Sequence, residues 1–264
     1  MLVGVIHLPA LPGSPRASAS AREIARAAVA DARVLLAAGF ELAMIENFGD
    51  SPFFAGRVPA ITVSAMTACA VAVREACPAL PLGINVLRND ADAALAIAAV
   101  CDAACIRVNV HTGARVTDQG VIGGEAASTL RTRRALGAER VAIWADVDVK
   151  HSAPLAARPL AQETHDLASR GMVDAVLVTG EGTGRAVDLA KLDVVREAAR
   201  AANPTLPVLV ASGATLANLA ELAGRSTGVI VGSALRQGGR AGGPIDRAAA
   251  EAFSRAYRKT FSLG

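Results

Sequence analysis

The decapeptide VAIWADVDVK, Val141–Lys150, alternates with a period of two: Val141, Ile143, Ala145, Val147 and Val149 share one face, and Trp144, Asp146, Asp148 and Lys150 the other. That is the period of a β-strand, whose successive side chains point to opposite sides. Two carboxylates and an ammonium in phase have the makings of acid–base chemistry. Lys150 would donate a proton or steady an oxyanion while Asp146 and Asp148 keep it charged. A Schiff base needs a desolvated amine of lowered pKa, and the adjacent acids argue against one. His151 follows on the opposite parity. Other apolar runs carry polar groups in the same way. Ile106, Val108 and Val110 leave Cys105, Arg107, Asn109 and His111 facing the other side, and Leu82, Ile84 and Val86 leave Gly83, Asn85 and Leu87. Glu46 is in phase with Leu42 and Met44, Thr179 with Leu177, and His7 ends the first run.

A second kind of chemistry is written in glycine and serine. PVLVASGAT (Pro207–Thr215) and GVIVGSALRQGG (Gly228–Gly239) are apolar runs ending in Ser212-Gly213 and Gly232-Ser233, each before a segment expected to be helical. Backbone N–H groups at such a turn receive an anion. Two such units near the C-terminus match the phosphate site that follows the seventh and eighth strands of (β/α)8 barrels. Gly182, in the Gly-rich loop after Thr179, is a third phosphate candidate. An Arg236 side chain filling the site would exclude an anion.

The elements that must position these groups recur about every 30 residues. Strands are expected at Leu2–His7, Leu42–Glu46, Leu82–Leu87, Cys105–Val110, Val141–Asp148, Ala175–Thr179, Val208–Ser212 and Val229–Val231. Helices are expected at Ala21–Ala38, Val63–Ala76, Asp92–Val100, Ala126–Leu136, Pro159–Ser169, Leu189–Ala202, Leu216–Ala223 and Ile245–Tyr257. Eight alternations in 264 residues predict a single (β/α)8 TIM barrel of the phosphate-binding type spanning residues 1–264, with a doubly wound open sheet as the runner-up. The chain is 52% hydrophobic but 3% aromatic, so its core must be built from Ala, Val, Leu and Ile.

In that frame the polar inward set gathers at the strand C-termini, where barrels of this kind place their sites. A buried guanidinium needs a carboxylate, so Arg107 should pair with Glu46 or Asp146. The long segment His111–Ala126, with Asp118, is expected to be a lid or substrate contact. Phe48, Phe53 and Phe54 would pack over a ligand or cap the mouth. Asp50, Asp118, Asp146, Asp148 and Glu181 would suit a divalent metal, but no metal-ligand spacing is present, so no cofactor is assigned.

Composition excludes several classes. The net charge is +3 and the arginines are scattered, which does not support nucleic-acid binding. No GxxxxGK[ST] loop exists for a triphosphatase. No apolar run reaches the ~18 residues of a membrane span, and the first strand opens at Leu2, which speaks against a cleavable signal. The four cysteines, Cys69, Cys77, Cys101 and Cys105, show no CxxC pair and read as buried thiols of a reducing cytoplasm.

GVIHLPALPGSPR, ENFGDSPF, GINVLRND, IRVNVHTG with TDQG, DVDVKHSAPL, VTGEGTG and VGSALRQGG together resemble the BtpA family over nearly the whole chain. That family is named for a factor needed for photosystem I accumulation in cyanobacteria and includes the SgcQ-type bacterial proteins. The resemblance implies a barrel grouped with the phosphosugar-binding barrels. Two expectations follow. The first is an enzyme of lyase, isomerase or transferase type acting on a phosphorylated sugar or nucleotide-like molecule. Its catalytic set would be Lys150, Asp148, Asp146, His7 and Glu46, with Asn85, Arg107, Asn109, His111, Asp118, His151 and Thr179 binding substrate, and the expected assembly is a homo-oligomer. The alternative is a non-catalytic assembly or stability factor, as in photosystem I biogenesis.

Overall fold

A computed structural model describes residues 1–180 and 187–261. In chain order the elements are β1 (Leu2–His7), α1 (Ala21–Ala38), β2 (Leu42–Glu46), α2 (Ala60–Ala76), β3 (Leu82–Asn85), α3 (Ala91–Cys101), β4 (Cys105–Val108), β5 (Ala114–Thr117), β6 (Gly120–Gly123), α4 (Ala126–Ala135), β7 (Ala142–Val147), β8 (Ser152–Pro154), α5 (Leu160–Ser169), β9 (Ala175–Val178), α6 (Leu189–Ala202), β10 (Val208–Val210), α7 (Leu219–Leu222), β11 (Gly228–Val231) and α8 (Arg247–Phe261). Eight parallel strands close in the order β1-β2-β3-β4-β7-β9-β10-β11, and β11 pairs back onto β1. This is a (β/α)8 barrel.

Local sequence explains the element ends. Ser20 and Glu23 form a reciprocal capping box at the start of α1, and Gly39, at φ 78°, ends it in the left-handed conformation. Asp90 and Asp188 accept N–H groups at the starts of α3 and α6.

The expected parity partitions the core. Ile6, Ile45, Ile84, Ile106 and Ile143 meet the helices, packed with Leu35, Met66 and Leu95. Val3, Val5, Leu42, Met44, Cys105, Trp144, Leu177, Leu209 and Ile230 fill the interior. Gly83 makes room there, because a Cβ would lie 2.7 Å from Met44 Cε and 2.8 Å from Cys105 Sγ. The four thiols are all buried and unbridged.

Several elements differ from expectation. Strands β3, β4 and β7 stop at Asn85, Val108 and Val147, short of Leu87, Val110 and Asp148. Asp148 has φ 53°, which turns the chain out of the ladder. The segment after β4 is an antiparallel hairpin, β5–β6, and residues after β7 add to it as β8. The seventh helix is reduced to Leu219–Leu222, and no helix opens at Ala214 or Thr215. After Gly232 come two 3-10 turns, Ser233–Leu235 and Gln237–Gly239, with α8 beginning at Arg247. No helix among the described residues is long and apolar enough to cross a membrane.

Candidate functional site

Register builds the floor of the site. His7 pairs with Glu46, Glu46 with Asn85, and Asn85 with Arg107 across β1 to β4, so their side chains form one interior row above the apolar column. Arg107 pairs bidentately with Asp146, Nε to Oδ2 at 3.1 Å and Nη2 to Oδ1 at 3.0 Å. Asn109 Nδ2 donates to the same carboxylate at 2.7 Å, and Asn85 Nδ2 donates to Asn109 Oδ1 at 3.1 Å. The expected partner of Arg107 is therefore present, and it is Asp146. Burial works against the Arg107 charge, but Asp146 and Glu46 outweigh it and raise its pKa above the usual value.

His7 is held by three neighbours. Gly242 N–H donates to its Nδ1 at 3.1 Å, which leaves the proton on Nε2, 3.9 Å from Glu46 Oε1. Phe48 stacks on the ring with centroids 4.3 Å apart, so this phenylalanine does cap the mouth. Burial, then the charges of Arg236, Lys150 and Arg107, hold the imidazole well below its ordinary pKa.

A cavity of ≈30 Å³ lies above this row, lined by His7, Glu46, Arg107 and Lys150 on one side and by Ser212–Ala214, Gly232 and Ser233 on the other. The backbone N–H groups of Ser212, Gly213, Ala214, Gly232 and Ser233 have no acceptor among the described residues. Gly213 has φ 81°, and a Cβ on Gly232 would press on His7 at 3.0 Å. The Arg236 guanidinium does not enter the cavity. It donates to the carbonyls of Gly232, Val5 and Gly243 and ties β1 to the segment after β11.

Other expected site residues lie elsewhere or serve other ends. Asp148 turns away from the interior and pairs with Arg115 of β5 and with Lys191 of α6 at 3.1 Å, because the strand ends one residue before it. Lys150 does line the cavity, and of the two in-phase acids Asp146 favours its charge while Asp148 is turned elsewhere. Burial is the leading influence and lowers its pKa, opposed by Glu46. His111 is a correction too: its Nε2 meets Gly171 O at 2.9 Å, beyond α5, rather than the mouth. Burial lowers its pKa. Thr179 Oγ1 accepts from Lys150 N at 3.1 Å and so braces the turn after β7.

Asp118 and His151 line a separate cavity of ≈360 Å³ with Phe53, Arg88 and Gln119. Gly182 and Glu181 fall outside the described residues. Asp50 accepts from Leu11 N at 2.7 Å. Asp146 and Asp148 are each paired to cations. No group of three or more His, Cys, Asp or Glu among the described residues is placed to hold one.

Sequence reasoning missed two arginines. Arg88, 6% exposed, sits in the turn after β3 and donates to Lys150 O at 2.7 Å. Arg115, 6% exposed, joins Ser152, Asp148 and Glu163. The first lies in a turn without periodicity. The second had a signal, since Asp118-Gln119-Gly120 is a hairpin turn between alternating runs.

The model of the BtpA family matches residues 1–259. The chain belongs to the BtpA family. The photosystem I biogenesis protein BtpA of Synechocystis sp. is 41% identical over 252 residues, covering 96% of this chain and 86% of that protein. An uncharacterized protein of Methanocaldococcus jannaschii is 39% identical over 245 residues, covering 93% and 90%. Among solved structures, N-(5'-phosphoribosyl)anthranilate isomerase from Pyrococcus furiosus superposes with a TM-score of 0.56 at 15% identity over 98% of this chain and 99% of that one. That likeness shows the barrel alone. The BtpA relatives correct one expectation: at about two-fifths identity they are a biogenesis protein and an uncharacterized one, not established enzymes, so the acid–base enzyme is withdrawn.

Proposed function

We propose that this BtpA-family chain is a non-catalytic assembly or stability factor whose barrel mouth holds a small phosphorylated molecule. The observation that carries the reading is the division of groups at the mouth. Arg107, Asp146 and Asn109 satisfy one another, and Asp148 is taken by Arg115 and Lys191. The N–H groups of Ser212–Ala214, Gly232 and Ser233 stand open to an oxyanion. Side chains bound to each other hold a shape, and open N–H groups beside Lys150 hold an anion. The name of the Synechocystis relative supplies the class of role, the building of a protein complex. The buried thiols are in keeping with action in a reducing compartment.

The test is deletion of the gene in the organism that makes the protein, followed by quantitative proteomics and metabolite profiling. The expected result is depletion of a defined protein complex at unchanged transcript levels, with inorganic phosphate raising the melting temperature of the purified chain. Accumulation of one phosphorylated metabolite with an unchanged proteome would overturn the reading.

A further inference from the structure

At the end of the barrel opposite the mouth, a cleft of ≈740 Å³ opens between the C-terminal halves of α6 and α8. The ring of helices is thin here, because α7 has a single turn. Leu206, Val208 and Phe261 give the cleft apolar surface. Three guanidiniums line it as well, Arg196 and Arg200 of α6 and Arg225 of the turn before β11, and among the described residues no acidic one does. The carboxylate they share is Asp193, 3.4 Å from Arg196 Nη2 and 3.3 Å from Arg225 Nε. Arg196 Nε is buried without an acceptor. Arg200 is exposed and has no hydrogen bond or ion pair among the described residues. Three like charges around one counter-charge attract an anion, and each guanidinium carries more N–H donors than the fold employs.

The other donors of the cleft are taken, which sets the kind of anion. At the mouth, open backbone N–H groups face one small cavity. Here the N–H groups of Leu206, Arg225, Ser226 and Thr227 are bonded to the carbonyls of Asn203, Leu222 and Val208. The hydroxyls of Thr205, Ser226, Thr227 and Thr260 donate to Asn203 Oδ1 and to the carbonyls of Leu222, Val208 and Ala256. The Met1 amine donates to Thr227 O and to the Tyr257 hydroxyl. Only guanidiniums remain, and they are distributed: Arg196 and Arg200 stand one helical turn apart, about 6 Å of rise, and Arg225 comes from another element. Alternate side chains of an extended segment share one face at intervals of about 7 Å, so carboxylates repeated along a chain suit this spread better than one compact anion does. A nucleic-acid strand calls for open aromatic faces to stack on. The two rings of the cleft, Tyr257 and Phe261, are stacked on each other with centroids 4.3 Å apart.

We propose that the cleft docks an acidic segment of a partner protein, whose Asp or Glu side chains pair with Arg196, Arg200 and Arg225. Arginine clusters recognise acidic motifs through charge-assisted, often bidentate hydrogen bonds. The surface lies at the N-terminal ends of β1, β10 and β11, whereas the mouth lies at their C-terminal ends, so it is occupied whatever the mouth holds.

Fluorescence anisotropy of the full chain provides the test. A fluorescein-labelled peptide of alternating Glu and Ala is titrated with the wild type, Arg200→Gln and Arg200→Glu, and a peptide of alternating Gln and Ala is the control. The wild type is expected to bind the acidic peptide at least roughly 10-fold tighter than the control, the effect of one well-made charged hydrogen bond. Arg200→Gln should weaken binding by roughly 2- to 5-fold, as loss of an exposed ion pair does, and Arg200→Glu by more, because attraction becomes repulsion. Arg200 makes no bond within the fold, so both variants are expected to fold. Equal binding of the two peptides, or wild-type affinity in Arg200→Glu, overturns the proposal. Tighter binding of a labelled thymidine oligonucleotide, or displacement of the peptide by an equal concentration of inorganic tripolyphosphate, overturns it in favour of a nucleic acid or a small polyanion. Dimerisation in sedimentation velocity that Arg200→Glu abolishes also overturns it, the occupant then being a second copy of the chain. Inorganic phosphate should raise the melting temperature of Arg200→Glu as it does that of the wild type, so a failed peptide beside a preserved phosphate shift leaves the reading of the mouth standing.

Discussion

Replacing Asp146 by Asn tests whether the interior pair holds the mouth together. Exposure sets the magnitude. Arg134 and Glu139 form an ion pair with side chains 82% and 48% exposed, and such pairs contribute about 0–1 kcal/mol. The Arg107 and Asp146 side chains are 4% and 0% exposed, with two aligned hydrogen bonds between them. Removing one charge leaves the other buried and uncompensated, at a cost of about 3–5 kcal/mol. Glu46 also acts on Arg107, so Asp146→Asn belongs near the lower end of that range. Arg107→Met strands Asp146 with Asn109 as its remaining donor in this network and belongs nearer the upper end. The double variant Arg107→Met/Asp146→Leu removes both charges, and apolar replacements of buried pairs are often neutral or better, so it should return to within about 1 kcal/mol of wild type. Urea denaturation of wild type, Arg107→Met, Asp146→Leu and the double variant closes the double-mutant cycle, with Asp146→Asn measured beside it. A loss below about 1 kcal/mol for Asp146→Asn, or a double variant as unstable as the sum of the singles, would refute the reasoning.

Three further outcomes follow from the same geometry. His7 has a depressed folded pKa, so the unfolded chain binds the proton first: its contribution is complete above roughly pH 6.5 and is lost as the pH falls below it. Melting curves of wild type and His7→Gln between pH 5 and pH 8 should therefore converge on the acid side; parallel curves would show that His7 does not titrate this way. Gly49→Ala drives a Cβ into the backbone of Pro9 and Ala10, neither of which yields as a side chain would, so a loss of roughly 1–3 kcal/mol is expected by urea denaturation. Gly232→Ala sets a methyl against the His7 ring at 3.0 Å, beside the open N–H groups, and should weaken phosphate binding by calorimetry at least as much as it lowers stability.

The barrel was legible because alternation and the recurrence of strand and helix are set by burial, which composition records directly. Arg107, Asn85, Glu46 and His7 were placed inside by counting in twos, and the register confirms the row. Counting failed where the apolar partner changed. Val110 and Val149 continue the alternation beyond β4 and β7 but pack with Ile122 of the hairpin, in a small cluster of their own. The pattern therefore ran past the ladder and carried His111 and Asp148 with it. No spacing rule announces a turn such as the one at Asp148, where φ reaches 53°. The glycines after β10 and β11 were readable as turns, and Gly213 has φ 81° while a Cβ on Gly232 would lie 3.0 Å from His7. Of the helices expected behind them, Ile245–Tyr257 is present as α8 (Arg247–Phe261), while Leu216–Ala223 keeps a single helical turn.

That shortened α7 makes the barrel wall uneven in its resistance to opening. β10 has three residues and meets β11 along two register pairs, the fewest of any neighbouring strands described in the barrel. Local excursions begin where few hydrogen bonds and little packing must be undone together. Amide exchange should be fastest along this arc and slowest across β1, β2 and β3, beneath the long helices α1 and α2. The turns that present the open N–H groups stand at the ends of β10 and β11. An anion bridging them is a removable cross-brace on the weakest staves, and its arrival would be read as slowed exchange in Val208–Val210 and Gly228–Val231 while the opposite half of the barrel stays unchanged.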